Sequence, residues 1–97
     1  MASSEPAATW TFLSNHAHVL VCVHRDPEAR IRDIAASVGI TERAAQGLVS
    51  DLVEEGYLVR ERIGRRNRYS VNGDARLRHP LEEDHTIGEL LDLLGTN

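Results

Sequence analysis

The length and composition of the chain indicate a small single-domain protein without a membrane span or a disulfide framework. Its 97 residues suffice for one domain with a single hydrophobic core. No apolar run approaches the ~18 residues of a membrane span, so we expect no membrane partner. A lone cysteine excludes an internal disulfide framework, and the N-terminal MASSEPAATW lacks the pattern of a secretory signal. We therefore expect a cytoplasmic protein.

The net charge of −4 is distributed unevenly along the chain. Residues 57–81 carry seven arginines against two acidic residues, a net charge of +5. Residues 1–56 carry −4 and residues 82–97 carry −5. A polyanion senses the local patch within a Debye length of about 10 Å at 0.1 M salt, and not the total charge. The arginine segment therefore favours a nucleic-acid partner over the alternative of a merely solvated hairpin edge.

The N-terminal part predicts a short unstructured segment followed by a helix. Residues 1–9 are expected to be disordered, and Trp10 and Phe12 to anchor the N-terminus onto the domain or onto its dimer partner. Ser14 is a suitable N-cap for a helix that runs to about Arg25. The expected core residues of this helix are Val19, Leu20 and Val23.

Two further helices with a tight connection are predicted next. Gly39 ends the first and permits the positive φ of a sharp turn, Thr41 caps the second, and Gly56 stops it. Such a pair is a helix-turn-helix. Apolar residues recur at i, i+3, i+4, i+7 in both helices, at Ile31, Ile34, Ala35 and Val38 and at Ala45, Leu48, Val49 and Leu52.

The second of these helices has a polar face opposite its apolar stripe. The face consists of Arg43, Gln46, Gly47 and Ser50. It includes side chains that can hydrogen-bond base edges or phosphates. Gly47 offers no side chain, and it weakens the helix by about 0.8–1 kcal/mol relative to alanine.

A β-hairpin is expected after Gly56. Residues 57–62 and 68–71 have strand-like composition, and residues 63–67 form the predicted loop, with Gly64 and Asn67 as its turn formers.

The C-terminal part predicts one more helix. Residues 73–80 have no periodicity and are interpreted as a connector, and residues 81–97 contain a capping box that begins at Thr86. The helix is too short to be stable alone in water, so its apolar stripe must dock. We expect it to form a dimer interface, in preference to purely internal packing, through Ile87, Leu90, Leu91 and Leu94.

Three segments, GITERAAQ at 39–46, DLVEEGYLVRER at 51–62 and GRRNRY at 64–69, carry a family resemblance. Over residues 10–72 the chain resembles winged helix-turn-helix transcriptional regulators of the MarR and ArsR type, particularly small single-domain members. The resemblance implies a mainly α member of the α+β class, with a three-helix core, a two-stranded wing and a homodimer that binds DNA. It places Thr41, Arg43, Gln46 and Gly47 at the groove, and Arg65 and Arg66 at the wing tip.

Together these patterns predict a homodimeric, sequence-specific regulator that binds double-stranded DNA. Helix 41–55 would enter the major groove, and the arginine wing 62–68 would contact the backbone or the minor groove. The alternative is a winged-helix module for protein–protein contact that has lost DNA binding, which Gly47 and the net acidity favour. The predicted DNA-binding residues are Thr41, Arg43, Gln46, Gly47, Ser50, Arg62, Arg65, Arg66, Asn67 and Arg68.

Metal binding and catalysis are not indicated. His18 and Cys22 have i, i+4 spacing, but His16 and His18 point in different helical directions, so no complete ligand set is visible. The sequence has no phosphate loop, nucleophile elbow or carboxylate pair typical of an enzyme. We expect no metal, no cofactor and no catalytic residue, and the sequence leaves a small-molecule effector open.

Overall fold

The computed structural model describes residues 10–94, and over this range the fold is α+β and mainly helical. The expected disorder of residues 1–9 concerns residues outside the described range. The four helices and one two-stranded antiparallel sheet follow the order α1 (Asn15–Arg25), α2 (Ile31–Val38), α3 (Glu42–Glu54), β1 (Leu58–Ile63), β2 (Arg66–Val71) and α4 (Ile87–Leu94). Within residues 10–94, none of the helices combines the length and apolar character needed to cross a membrane.

Helix α1 begins and ends as its sequence predicts. The Ser14 hydroxyl accepts a hydrogen bond from the Ala17 amide at 3.4 Å, and the helix ends where Asp26 becomes extended before Pro27. Its buried residues are the predicted Val19, Leu20 and Val23.

The connection between α2 and α3 is as tight as predicted. Gly39 ends α2 with a φ of 88°, in the left-handed region that glycine enters without a steric penalty. The Thr41 side chain then accepts from the Ala44 amide at 3.0 Å and caps α3. Helices α1, α2 and α3 pack against one another around a core that includes Ile34, Ala45, Val49 and Leu52.

The hairpin has a shorter turn than the predicted loop 63–67. Ile63 pairs with Arg66, which leaves only Gly64 and Arg65 between the strands. Gly64 has a φ of 63°, and no non-glycine residue of the described chain has a positive φ, a pattern typical of a type II′ turn. The assignment of Asn67 as a turn former was wrong, because one glycine at the first central position suffices and Asn67 continues the ladder.

The segment after β2 is more ordered than a plain connector. The Ile87 amide donates to the Ala75 carbonyl at 2.8 Å, and the Leu77 amide donates to the His85 carbonyl at 3.0 Å. Ala75 and Leu77 also pack against the core. Residues 73–77 therefore bind the segment that leads into α4 and fix where that helix starts.

The capping box of α4 forms as predicted. The Thr86 amide donates to the Glu89 carboxylate at 2.8 Å, and the Glu89 amide donates to the Thr86 hydroxyl at 3.2 Å. The helix packs on α1, and the Leu94 carbonyl accepts from the Arg25 guanidinium at 2.9 Å.

Candidate functional site

The predicted polar face of α3 is open to solvent. Its four residues and the N-cap residue Thr41 are all exposed, and a methyl group added at Gly47 would meet no atom within 4 Å. Within residues 10–94, the side chains of Arg43, Gln46 and Ser50 have no hydrogen-bond partner in the protein. The Thr41 hydroxyl, in contrast, already accepts a hydrogen bond from the Ala44 amide and caps the helix. The set comprises Thr41, Arg43, Gln46, Gly47 and Ser50.

Charge is distributed unevenly along α3, from zero net charge over residues 41–50 to −3 over residues 51–55. Residues 41–50 contain Arg43 and one acid, Glu42, whereas residues 51–55 contain Asp51, Glu54 and Glu55. The helix dipole adds positive potential at the first turn and negative potential at the last. The N-terminal half of α3 is therefore the half that tolerates a polyanion.

The hairpin concentrates unneutralised positive charge. Its strands and turn carry five arginines and one glutamate, a net charge of +4. All five arginines are exposed, and within the described chain none lies within 4 Å of a carboxylate. Two of them instead donate to backbone carbonyls, Arg62 to Gly64 at 3.1 Å and Arg66 to Glu28 at 3.4 Å. These contacts orient the guanidinium groups without cancelling their charge.

The hairpin is held against the connection between α1 and α2. Tyr69 is buried, and its amide donates to the Pro27 carbonyl at 2.8 Å, which adds a backbone contact on the side of β2 away from β1. A cleft of about 220 Å³ separates the hairpin tip from the start of α2, and Arg30, Arg65 and Arg66 all line it. Arg30 is thus a third cationic residue beside Arg65 and Arg66 at the hairpin tip. The sequence did not reveal this, because Arg30 is 35 residues before Arg65.

The four residues predicted to form a dimer interface divide into two pairs. Ile87 and Leu91 are buried in the chain's own core, at 4% and 2% exposure. Their side chains are therefore unavailable to a second subunit. Leu90 and Leu94 are half-buried, and Leu93 is the most exposed leucine of the helix at 77%. Leu93 is therefore the leucine of α4 that faces outward, whereas Leu90 and Leu94 lie at the border of the buried face.

The N-terminal aromatic residues do not anchor on the domain. Trp10 and Phe12 are 66% and 92% exposed, and their rings contact each other edge to face at a centroid distance of 5.0 Å. The prediction that they pack onto their own domain was wrong, since the sequence offers no signal for a surface that receives them. Their predicted contact with a dimer partner stays a prediction.

The histidines and the cysteine of α1 have separate neighbours. His16 Nε2 lies 3.0 Å from Asp51 Oδ2, and His18 Nδ1 lies 3.0 Å from Asn15 Oδ1. Burial raises the pKa of the Cys22 thiol above its ordinary value, which disfavours the thiolate that metals and electrophiles require. Among residues 10–94, no three histidine, cysteine or acidic side chains are grouped closely enough to hold a metal ion.

The structure also contains a cleft that the sequence analysis missed. It measures about 340 Å³ and lies where α1, the end of α3, Leu77 and the start of α4 meet. The available signal was the i, i+4 pair Asp51 and Glu55 beside the core residue Leu52, but only the fold brings α4 to that place.

Comparison with known proteins gives no family assignment. No known protein family matches the chain, and no curated protein is similar to it.

Proposed function

We propose that the protein is a winged helix-turn-helix regulator that binds double-stranded DNA as a homodimer. Helices α1 to α3 supply the three-helix core, and the β1–β2 hairpin supplies the wing. The MarR and ArsR resemblance of residues 39–69 supports this reading, as does the two-residue turn that projects Arg65 at the hairpin tip.

The observation that carries the proposal is the set of five exposed hairpin arginines without carboxylate partners in the described chain. Guanidinium groups that are already paired gain little from a phosphate, whereas these retain their full charge for one. Because the rest of the protein is acidic, the DNA-binding surface is confined to the hairpin and the N-terminal half of α3.

Base recognition is assigned to α3. Arg43 and Gln46 lie on its exposed face near its N-terminal end, the part of a recognition helix that reaches base edges. Glutamine forms a bidentate contact with adenine, and arginine with guanine.

The first experiment measures affinity and its salt dependence. Titrating a random duplex at two salt concentrations should give micromolar or tighter binding that weakens steeply with salt. The double variant Arg65→Ala/Arg66→Ala should reduce the slope of log K against log [salt] by about 0.9 for each phosphate that the wing no longer neutralises. The matched control Arg32→Ala/Arg78→Ala removes the same charge from two exposed arginines outside the hairpin, of which Arg78 makes only an exposed pair with Glu55 at 3.7 Å.

The outcomes separate two functions. Equal weakening in both double variants would mean that net charge and not the wing determines binding. Absence of binding at low salt would refute the DNA proposal and favour the alternative, a winged-helix module for protein–protein contact. The gap at Gly47 and the net charge of −4 favour that alternative.

Base recognition has its own test. On a site selected from random oligonucleotides, Gln46→Ala should cost about 1–3 kcal/mol while binding to random duplex is unchanged. If the selected site is bound as tightly as before, Gln46 does not read a base.

Dimerisation is assigned to the outward side of α4. Leu93→Asp should shift sedimentation from dimer to monomer and weaken binding to a two-half-site operator. Leu81→Asp is the control, because Leu81 is 90% exposed and lies outside the helix. A Leu93→Asp protein that remains dimeric would remove α4 from the interface.

A further inference from the structure

The 340 Å³ cleft has a rigid apolar floor. Three of its lining residues, Leu20, Leu52 and Ile87, belong to the buried core, and the half-buried Leu77 and Leu90 continue the floor outward. Its volume lies within the range of about 300–1,000 Å³ typical of small-molecule sites. Because the floor is made of core side chains, the cleft keeps its shape without a ligand.

The rim of the cleft carries two exposed ion pairs. His16 Nε2 lies 3.0 Å from Asp51 Oδ2, and Arg78 lies 3.7 Å from Glu55 Oε1. Asp51 lies in the last turn of α3 and Glu55 is the C-cap residue four positions later, so both carboxylates reach the same rim. Pairs this exposed are weak, so a ligand that offers a better donor can replace either partner.

The electrostatic potential at this rim favours a cation. The last turn of α3 contains no basic residue, so the negative end of its dipole is uncompensated within the helix. Residues 82–94, which lead into and include α4, carry five acidic residues and no arginine. Among the described residues that line the cleft, only Arg78 has a permanent positive charge.

We propose that this cleft binds a small organic cation, an amine carried on an apolar body about the size of one or two aromatic rings. The ammonium group donates to Asp51 and Glu55 in place of His16 and Arg78, and the apolar body lies on Leu20, Leu52 and Leu90. A neutral analogue lacks the charge-assisted hydrogen bond, and an anionic analogue meets two carboxylates. This site is separate from the DNA-binding surface and does not depend on it.

The test uses the full chain without DNA and three probes that share one ring system. Calorimetry with 1-naphthylmethylamine, 1-naphthylmethanol and 1-naphthoate should rank the amine first, about tenfold tighter than the alcohol, since a charge-assisted hydrogen bond is worth about one decade of affinity. The naphthoate should bind most weakly.

Variants locate the site. Asp51→Asn should lower amine affinity about tenfold and leave the alcohol unchanged. Glu54→Gln is the matched control, because it removes the same charge from the same helix at a residue that does not line the cleft. Glu55→Gln provides a second rim variant should Asp51→Asn fail to fold.

Three results would overturn the proposal. Equal affinity for the amine and the alcohol would show that the rim does not select charge. Equal effects of Asp51→Asn and Glu54→Gln would show only a general surface potential. Absence of amine binding at protein concentrations where sedimentation detects only monomer would show that the uncovered cleft holds no such ligand.

Discussion

Replacing Leu91 by alanine should test whether α4 docks on its own subunit. Leu91 is 2% exposed and packs in the same core as Ile87 and the buried residues of α1. Truncation of a buried leucine to alanine costs about 2–5 kcal/mol, from reduced apolar burial and from the cavity that remains. Since a small domain has about 5–15 kcal/mol of stability in all, the change should be readily measurable.

The matched control lies two residues away in the same helix. Leu93 is 77% exposed, so Leu93→Ala should change the free energy of unfolding by no more than about 0.5 kcal/mol at low protein concentration. The assay is urea denaturation followed by far-ultraviolet circular dichroism at two protein concentrations. A Leu91→Ala destabilisation below about 1 kcal/mol would refute internal docking. A destabilisation that depends on protein concentration would place the partner surface on a second subunit.

Three further predictions concern single positions. Gly88→Ala should destabilise the protein, because a Cβ there would lie 2.9 Å from the Gly73 carbonyl oxygen; its control, Gly47→Ala, meets nothing within 4 Å and should stabilise α3 by about 0.8–1 kcal/mol in thermal melts. Glu89 has a pKa held below its ordinary value, chiefly by the hydrogen bond from the Thr86 amide, so its stabilising contribution is present above the unfolded-state pKa and is lost as the pH falls through the folded-state value. Glu89→Gln should therefore be less stable than the parent at neutral pH, with the difference closing as the pH falls through the folded-state pKa of Glu89; a constant difference would contradict this. Gly64→Ala should cost about 1–3 kcal/mol, because alanine is strained at the φ of 63° that the hairpin turn requires, and an unchanged melting temperature would contradict the turn assignment.

For the hairpin, the local sequence pattern predicted the strands but not their register. Composition predicted two strands around Gly64, and both exist. Their register was not predictable from composition, since Ile63, Arg66 and Asn67 are acceptable in either a loop or a strand. The tighter II′ turn formed because it needs only one positive φ, and because the buried Tyr69 and its hydrogen bond to Pro27 fix β2 against the helices.

For the C-terminal helix, the local sequence pattern predicted the helix but not its docking surface. The i, i+3, i+4, i+7 stripe established that this helix must dock, and the capping box established where it starts. Neither pattern could predict the surface on which α4 docks. That was decided by residues 73–77, which hydrogen-bond to the segment leading into α4 and direct Ile87 and Leu91 into the chain's own core.

The sequence by itself determined the helices, the N-caps of α1, α3 and α4, and the placement of the arginines along the chain, because helical periodicity, capping and charge are properties of neighbouring residues. The stop of α2 at Gly39, the N-cap role of Thr41 and the exposed face of α3 could all be assigned from the sequence. Only the tertiary structure decided which residues distant in sequence become neighbours in space. It brings Arg30 to the hairpin tip and His16 to Asp51, and it forms a cleft between α1, α3 and α4. His16 and Asp51 are 35 positions apart, and their approach depends on how helices pack around one core, which no local pattern encodes.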